Sequence, residues 1–284
     1  MGGAMAANLI DAGFEVAGFD LESTRCEELA RRGGLKMTAP QDIFRSADIA
    51  ITSLPSSDAL LSVARALAHL PAREVPRIVI ETSTLALADK QAAFDLLAGA
   101  GIELLDCPLS GTGAQALTRD LVVFGSGDES AFRRCDAVVE GISRAQHYLG
   151  EFGNGTRMKF VANLLVANHN AAAAEAMVLG MKAGFPAQTI YDVISVSAGT
   201  SRMFEVRGPM MVAGDYDAAT MKMDLWKKDM DIIGAFARQL GVTLPLFEAS
   251  GGLYDRGLAE GRGAQDTASV CAVLEKMAGL VREK

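Results

Sequence analysis

The sequence predicts an α/β fold in which a doubly wound, mainly parallel sheet is followed by an all-helical C-terminal domain. Three observations support this prediction. Short apolar runs alternate with helical patterns over residues 1–150, as is typical of crossover connections between parallel strands. Strand patterns nearly disappear after residue 155. The length of 284 residues also fits two domains of about 150 residues each.

The first half of the chain supplies the strands of this sheet and the helices between them. Short apolar runs predict strands at 14–19, 48–54, 77–84, 102–110, 121–127 and 146–150. Helical patterns predict helices at 2–12, 21–32 and 88–100. Gly13 ends the first of these helices, and Pro55 with a serine-rich turn follows the second strand.

The second half predicts helices only. One long helical pattern covers 156–183 and is interrupted by Gly184 and Pro186. Further helical runs are predicted at 187–196, 219–240, 245–257 and near 266–281. Glycines cluster at 150–155. We therefore expect a first domain of residues 1–153 and a helical domain of residues 154–284.

The composition argues against several functional classes. The formal net charge of −8 argues against a nucleic-acid partner, because phosphate binding requires a basic surface. The four cysteines are scattered without a CxxC pair or a histidine cluster, so we expect reduced thiols in a cytoplasmic protein and no metal site. The most apolar long segment, 158–183, carries polar and charged side chains that a membrane span would not tolerate. We therefore expect no membrane partner.

The chain opens with MGGAMAANLI, a glycine-containing turn that runs into a helix. Glycines at such a turn let the backbone approach a phosphate, whose charge then lies at the helix N-terminus, and Gly2 is the candidate contact. Asp20 ends the next predicted strand, where an acidic side chain accepts hydrogen bonds from a ribose hydroxyl. The alternatives are an ordinary turn at Gly2 and a surface aspartate that caps the helix at 21–32.

A second candidate site lies in DCPLSGTGAQA, residues 106–116. Ser110, Gly111 and Thr112 come where a strand ends and a loop begins, at the carboxyl edge where open α/β sheets bind ligands. The two hydroxyl groups and the backbone N–H groups of this turn suit a carboxylate. A Ser-Gly-Thr turn is by itself more often structural, so both interpretations stay open.

A third candidate, GNGTRMKFVANLL (153–165), places Lys159 and Asn163 four residues apart and therefore on one face of a helix. A lysine in the first helical turn is unfavourable for the helix dipole, and burial by its apolar neighbours adds to this effect. Both effects favour the neutral amine, which accepts a proton near neutral pH. The alternative is a solvated lysine on an amphipathic helix.

A fourth stretch, WKKDMDI (226–232), is by itself a charged surface turn of an apolar helix. Taken together and in order, however, these stretches resemble the β-hydroxyacid dehydrogenase family, which includes 3-hydroxyisobutyrate dehydrogenase and tartronate semialdehyde reductase. MGGAMAANL resembles the end of the family's GxGxMGxxMAxNL turn. DCPLSGTGAQA resembles its substrate-binding DxPxSGG segment, with Thr112 in place of the second glycine.

Three further motifs carry the resemblance along nearly the whole chain. GTRMKFVAN resembles the GxxxKxxxN segment that holds the family's catalytic lysine, which is Lys159 here. KDM at 228–230 resembles the KDL segment, and GRGAQDTA at 261–268 resembles the closing GxGxxDxS pattern. Each motif alone is loose, but the five occur in register.

The resemblance implies a Rossmann-type NAD-binding domain and a helical domain that contributes to substrate binding and forms a homodimer or homotetramer. It implies NAD(P)-dependent interconversion of a short β-hydroxy acid and its semialdehyde or keto acid by hydride transfer, an activity of the EC 1.1.1 type. Lys159 is then the acid/base, and Asn163 orients the lysine or the reacting oxygen. Ser110, Gly111 and Thr112 hold the substrate carboxylate. The implied cofactor contacts are Gly2, Asp20, Leu54, Pro55, Thr84 and Lys228, the last of which closes the site from the helical domain.

The resemblance leaves the cofactor type, the substrate and two rival functions to be decided. Asp20 favours NAD over NADP, because a carboxylate repels a 2′-phosphate. Imine-reducing relatives share the fold but usually lack a lysine at the position of Lys159, which favours alcohol chemistry. The other rival is a non-catalytic scaffold. Because Thr112 alters the carboxylate turn, candidate substrates include 3-hydroxyisobutyrate, glycerate, threonate and other short sugar acids.

The resemblance also predicts that the working protein begins upstream of Met1. The family's turn has two more glycines and a complete central strand before the residue aligned with Met1. Without that strand its two neighbours would expose unpaired backbone groups, each at a cost of about 1–3 kcal/mol. We therefore expect that this chain lacks the first strand.

Overall fold

The computed structural model describes residues 1–45, 47–71 and 77–282, and the chain divides into two compact units, Met1–Lys159 and Phe160–Lys284. The described strands of the first unit are β1 (Ala17–Gly18), β2 (Leu35–Lys36), β3 (Ile49–Thr52), β4 (Arg77–Glu81), β5 (Ile102–Asp106), β6 (Leu109–Ser110), β7 (Val122–Gly125) and β8 (Ala145–Tyr148). Its α-helices are α1 (Gly2–Asp11), α2 (Ser23–Arg31), α3 (Ser57–Ala68), α4 (Leu87–Ala98), α5 (Gly113–Leu117), α6 (Glu129–Arg134) and α7 (Asp136–Ile142).

The described strands pair in three groups, and an isolated antiparallel bridge between Asp106 and Ser126 joins the second group to the third. β1 pairs in parallel with β2, and β3, β4 and β5 form a parallel sheet in that order. The third sheet has the order β6–β7–β8, in which β6 is antiparallel to β7 and β8 is parallel to it. Within the described ranges, β1 and β3 each pair on one side only. The predicted α/β class with a mainly parallel, doubly wound sheet is confirmed.

The strand predicted at 102–110 is interrupted. β5 ends at Asp106, whose backbone exchanges two hydrogen bonds of 2.9 Å with Ser126. Pro108 follows and has no N–H to continue a parallel ladder, while its carbonyl accepts the N–H of Phe124 at 3.0 Å. The chain then runs antiparallel to β7 as β6. This bend places the Ser110–Thr112 turn at the carboxyl end of β6, where Ser110 pairs with Val122 at the start of β7.

Apolar side chains cover both faces of the β3–β5 sheet, and every residue of β4 is buried. Alternate residues of β4 point to opposite faces. Ile78 and Ile80 belong to a core cluster with Met5 and Leu9 of α1. Val79 belongs to a second cluster, which contains apolar residues of α3 and α4. The sheet therefore has helices on each side, as a doubly wound fold requires.

The regular elements described in the second unit are helices, joined by turns and one isolated bridge between Lys222 and Asp266. The long helix α8 (Asn154–Lys182) begins in the first unit and continues into the second. The other helices are α9 (Ala187–Ser195), α10 (Arg202–Ala213), α11 (Met223–Gln239), α12 (Pro245–Ala259) and α13 (Val270–Met277). Their core includes the buried rings of Trp226 and Tyr254. None of the described helices is long and apolar enough to span a membrane.

All four cysteines are buried and free. Cys26 lies in α2, Cys107 follows β5, Cys135 lies between α6 and α7, and Cys271 lies in α13. Burial raises the pKa of the Cys135 and Cys271 thiols to about 12, with smaller contributions from neighbouring carboxylates. Burial also raises the pKa of Cys107 well above its usual value.

Candidate active site

The loops after β3 and β4 are tied together at the carboxyl edge of their sheet. The Thr82 hydroxyl donates a 2.6 Å hydrogen bond to the carbonyl of Thr52. The hydroxyl oxygen of Ser83 accepts the N–H of Leu54 at 2.7 Å. These bonds hold the predicted cofactor residue Leu54, and with it the exposed Pro55, next to the segment that carries the half-buried Thr84.

The N-terminus of α1 reaches the same edge. Gly2 is the first residue of α1, and a Cβ built on it would lie 3.8 Å from the Cβ of Ser53. A Cβ at Gly3 would meet nothing within 4 Å. The intrahelical bonds start with the N–H groups of Ala4 and Met5, which donate to the carbonyl of Met1. The first backbone N–H groups of a helix have no intrahelical acceptor, so this end suits an anion.

Asp20 follows β1 and begins the turn into α2. Its Oδ1 accepts the N–H of Glu22 at 2.9 Å, and its Oδ2 lies 3.8 Å from Nη1 of Arg25. The side chain remains 41% exposed, so the turn leaves the carboxylate accessible. Burial and the nearby Arg25 guanidinium lower the pKa of the Met1 amino group. Asp20 does not cap α2, whose N-cap is Glu22 without a side-chain cap, and it instead forms the preceding turn with an accessible carboxylate.

The Ser110–Thr112 turn has a conformation that requires glycine at its centre. Gly111 has a φ of +140°, and a Cβ there would lie 2.5 Å from Cδ2 of Leu121. Ser110 ends β6 and is half-buried. The backbone therefore presents the Ser110 hydroxyl at the end of a strand, as the sequence predicted.

Thr112 caps a helix in the structure, and its contact with a substrate carboxylate stays a prediction. It is the N-cap of α5, where its hydroxyl accepts the N–H of Gln115 at 3.4 Å and its own N–H donates to Oε1 of Gln115 at 3.0 Å. The Thr112 hydroxyl also lies 3.3 Å from Oε1 of Gln115, so this capping box holds the hydroxyl and the N–H of Thr112 at the turn. Gln115 in turn donates to Asp120 at 2.9 Å, which pairs with Arg144 at 2.7 Å. Thr112 therefore stabilises the turn that contains Ser110 and Gly111.

Lys159 lies in the second turn of α8, because the helix begins at Asn154 and not at 156 as predicted. The effect of the helix dipole is weaker there than in the first turn. The side chain is 9% exposed, which excludes the alternative of a solvated surface lysine. Burial of the neighbouring residues is uneven, since Phe160 is buried while Met158 and Val161 are exposed.

The first turn of α8 rests directly on the backbone of the strands. A Cβ at Gly155 would lie 2.6 Å from the carbonyl oxygen of Asp106 and would overlap the carbonyl oxygen of Phe124. The N–H of Gly155 donates to the Ser126 hydroxyl at 2.9 Å. The N–H and hydroxyl of Thr156 each donate to the Asp106 carboxylate at 2.7 Å. These contacts fix the start of the helix that carries Lys159.

Asn163 and Lys228 both interact with Asp229 in the helical unit. The side-chain amide of Asn163 donates to Oδ2 of Asp229 at 3.2 Å. The ammonium of Lys228 lies 3.3 Å from Oδ1 of the same carboxylate. Asp229 is only 6% exposed, so the interpretation of this stretch as a charged surface turn is wrong for this residue. The carboxylate holds the Asn163 amide in one orientation.

Comparisons with known proteins agree with these features. Residues 1–150 match a family model described as the NAD binding domain of 6-phosphogluconate dehydrogenase. Residues 153–274 match a family model described as NAD-binding of NADP-dependent 3-hydroxyisobutyrate dehydrogenase. An L-threonate dehydrogenase of Cupriavidus necator is 31% identical over 96% of this chain and 92% of its own length.

The chain belongs to the β-hydroxyacid dehydrogenase family.

Two further similar proteins are hydroxy-acid dehydrogenases by name, and one of them is a solved structure. A 2-(hydroxymethyl)glutarate dehydrogenase of Eubacterium barkeri is 30% identical over 99% of this chain and 93% of its own length. A crystal structure of 3-hydroxyisobutyrate dehydrogenase from Salmonella typhimurium is 29% identical, with a TM-score of 0.86 over 96% of this chain and 95% of that one. The predicted family is confirmed, and the chain is an oxidoreductase of the β-hydroxyacid dehydrogenase family.

The carboxyl edge fits the nicotinamide dinucleotide that the family binds. A helix N-terminus with open space at Gly3 suits the pyrophosphate, and the accessible Asp20 carboxylate suits a ribose hydroxyl. The loop at Leu54 and Pro55 lies at the same edge, where the N–H of Leu54 is donated to the Ser83 hydroxyl.

A buried ionic network of three side chains in the first unit was not identified from the sequence. Lys90 of α4, Glu81 of β4 and Asp106 of β5 are each 0% exposed. These residues lie 9 to 25 positions apart in the chain and carry no periodicity that distinguishes them from surface charges. The aspartate of the DxP motif was the only available signal. Asp229 was quoted within the KDM motif but was not assigned a contact.

Proposed function

We propose that this chain is an NAD-dependent β-hydroxyacid dehydrogenase that interconverts a short β-hydroxy acid and its semialdehyde or keto acid, with Lys159 as the acid/base. One observation supports this most strongly. A buried lysine lies one helical turn from Asn163, whose amide is held by the buried carboxylate of Asp229. Buried, positioned lysine and amide side chains are typical of catalytic sites.

The residues of the first unit divide into two groups in this proposal. Gly2, Asp20, Leu54, Pro55 and Thr84 hold the dinucleotide along the carboxyl edge. A bound nicotinamide supplies the hydride acceptor for oxidation of the alcohol carbon. The Ser110 hydroxyl and the backbone at Gly111 bind the substrate carboxylate, and Thr112 keeps their turn in shape through its capping box.

Lys159 moves the proton in this reaction. Its neutral amine accepts the hydroxyl proton as the C–H bond breaks and the C=O bond forms, and the ammonium returns that proton in the reverse direction. Asn163 donates to the reacting oxygen or orients the lysine. The substrate is a short hydroxy acid of the size of threonate or 3-hydroxyisobutyrate, because such acids combine a hydroxyl with the carboxylate that the Ser110 turn accepts.

The first test is a panel of short hydroxy acids assayed by NADH absorbance with the parent and Lys159→Ala. We expect the variant to bind NADH, followed by fluorescence, while kcat falls by about 10²- to 10⁴-fold, the usual contribution of a positioned acid/base. Lys182→Ala is the matched control, because Lys182 is an exposed lysine in the last turn of the same helix.

Two results would contradict the proposal in different ways. A Lys159→Ala variant whose kcat stays within a few-fold of the parent removes the acid/base role from Lys159. A parent protein that neither binds NADH nor oxidises any acid in the panel supports the scaffold alternative instead.

A further inference from the structure

The buried cation of Lys90 connects the cofactor edge to the start of the helix that carries Lys159. We propose that Lys90 is a positioning residue for the reaction: it holds Glu81 and Asp106 together, and Asp106 in turn fixes the position of Lys159 through Thr156. This inference rests on the proposed function, because it assigns Lys90 an effect on the proposed acid/base.

Glu81 connects Lys90 to the cofactor edge of the sheet. The ammonium of Lys90 lies 2.6 Å from Oε2 of Glu81. The other oxygen of Glu81 accepts the N–H of Ser83 at 2.9 Å. Ser83 itself accepts the N–H of Leu54 at 2.7 Å. One chain of contacts therefore leads from Lys90 to the loop expected to bind the dinucleotide.

Asp106 connects Lys90 to α8, the helix that carries Lys159. The ammonium of Lys90 donates to Oδ1 of Asp106 at 2.7 Å. The same carboxylate accepts both the N–H and the hydroxyl of Thr156, as well as a longer bond of 3.3 Å from the Ser126 hydroxyl. Thr156 lies three residues before Lys159 on α8, and so on the same side of that helix.

The charge of Lys90 is needed because two carboxylates lie on either side of it without access to water. Burial lowers the pKa of Lys90, but the two carboxylates outweigh this effect and raise it to about 12. The ammonium is therefore permanent at physiological pH and keeps Glu81 and Asp106 at fixed positions. Without it the carboxylates repel each other, and the turn at Thr156 shifts with Asp106. A shift of about 1 Å at a reacting group lowers a rate by about 10²-fold.

The test compares Lys90→Met, Thr156→Val and Arg207→Met with the parent. Lys90→Met removes the buried cation and keeps most of the side-chain volume. Thr156→Val removes one bond to Asp106 and leaves Lys90 in place. Arg207→Met is the matched control, because it removes another buried cation, paired with Asp266 at 3.2 Å in the helical unit. Three quantities are measured: kcat against pH, KM for NAD⁺, and the rate of Lys159 acetylation by trace acetic anhydride against pH, followed by peptide mass spectrometry.

We expect kcat to fall by about 10²-fold in Lys90→Met and by a smaller factor in Thr156→Val. The pH midpoints of kcat and of Lys159 acetylation should shift in both variants. KM for NAD⁺ should rise only in Lys90→Met, because only this variant disturbs Glu81. Arg207→Met should lower the melting temperature without moving either pH midpoint.

The proposal is overturned if folded Lys90→Met keeps kcat within two-fold of the parent with unchanged pH midpoints, or if Arg207→Met moves them equally. If Lys90→Met does not fold, Thr156→Val decides by the same criteria. A parent without hydroxy-acid activity refutes the proposed function. The acetylation profiles still decide whether Lys90 sets the environment of Lys159.

Discussion

Asp20 lies at the point where cofactor choice is expected to be made. Its Oδ1 accepts the N–H of Glu22, and its Oδ2 faces the Arg25 guanidinium, which also pairs with the carboxylate of Glu22. A negative charge here repels a 2′-phosphate, while Arg25 would attract one. The balance between these two side chains sets the preference that we propose for NAD.

Asp20→Asn should therefore lower the ratio of kcat/KM for NAD⁺ to that for NADP⁺ by about 10-fold, which corresponds to about 1.4 kcal/mol. The amide keeps an oxygen for the N–H of Glu22 while the repulsive charge is lost. Steady-state kinetics with both cofactors measure this ratio. Glu22→Gln is the control, since it removes a neighbouring charge but keeps the acceptor at Asp20. A parent that prefers NADP⁺ would exclude the proposed role of Asp20.

Single residues differ in how far the sequence alone revealed them. Lys159 and Asn163 were singled out because their spacing places them on one helix face and within a family segment, and their catalytic roles stay predictions. The capping box of Thr112 was not predicted, because it depends on where α5 begins. Lys90 and Asp106 acquire their meaning only from contacts across the sheet. Ionic contacts between distant segments leave no pattern in the sequence, so they emerge only with the fold.

The helices and strands were predicted best where their periodicity was long and uninterrupted. The pattern for α8 was found to within two residues at its N-terminus. Helix α10 was missed, because Pro209 lies inside it and proline usually ends a helix. Proline cannot donate to the carbonyl four residues earlier, which belongs to Glu205. That carbonyl accepts the hydroxyl of Tyr191 at 3.1 Å instead, so the helix continues without an unpaired group.

The carboxylate of Asp266 connects three elements of the helical unit. Its Oδ1 accepts the Nε–H of Arg207 from α10 at 3.2 Å and the backbone N–H of Ala268 at 2.9 Å. Its Oδ2 accepts the N–H of Thr220 at 2.8 Å and that of Met221 at 3.0 Å. Burial raises the pKa of Asp266, but Arg207 and these N–H groups outweigh burial and lower it.

Asp266→Asn should lower the free energy of unfolding by about 3 kcal/mol at neutral pH, because it leaves a buried guanidinium without its counter-charge. The pKa of Asp266 is lower in the folded state than its ordinary value of 3.8. The stabilisation is therefore complete above pH 3.8 and is lost as the pH falls through the folded pKa. Urea unfolding of parent and variant from pH 7 to pH 3 should show the difference narrowing only at the acidic end.

Asp217→Asn is the matched control for this experiment. Asp217 is an exposed residue whose carboxylate accepts a 2.9 Å hydrogen bond from the side-chain amide of Gln265. Gln265 directly precedes Asp266 in the chain. Its replacement should change the unfolding free energy by less than about 1 kcal/mol. A difference between parent and Asp266→Asn that is constant over the whole pH range would contradict the assigned charge.

At the scale of the whole molecule, the chain builds separate apolar cores for its two units. Met5, Ile80 and Val123 belong to a cluster of the first unit, and Trp226 and Tyr254 to that of the second. The change from strand patterns to helix patterns made this organisation predictable. The antiparallel pairing of β6 with β7 was not predictable, because strand pairing depends on which edges meet and not on the apolar character of each strand.

The alkylation rate of each buried thiol reports how readily the surrounding part of the molecule opens. A thiolate must form and reach the reagent before it reacts, and burial opposes both steps for Cys107, Cys135 and Cys271. Alkylation by iodoacetamide therefore requires local or global unfolding. We expect Cys26 to react first, since it is the only buried residue of α2 and little apolar contact opposes its release.

Peptide mass spectrometry of alkylated protein at increasing urea concentration gives the four rates separately. The rates at Cys107 and Cys135 follow the opening of the first unit, and the rate at Cys271 follows that of the second. Rapid alkylation of Cys271 without urea would contradict its burial. A stabilising hydroxy acid or dinucleotide should slow alkylation in the region that binds it, so the cysteines can locate a ligand without any assay of turnover.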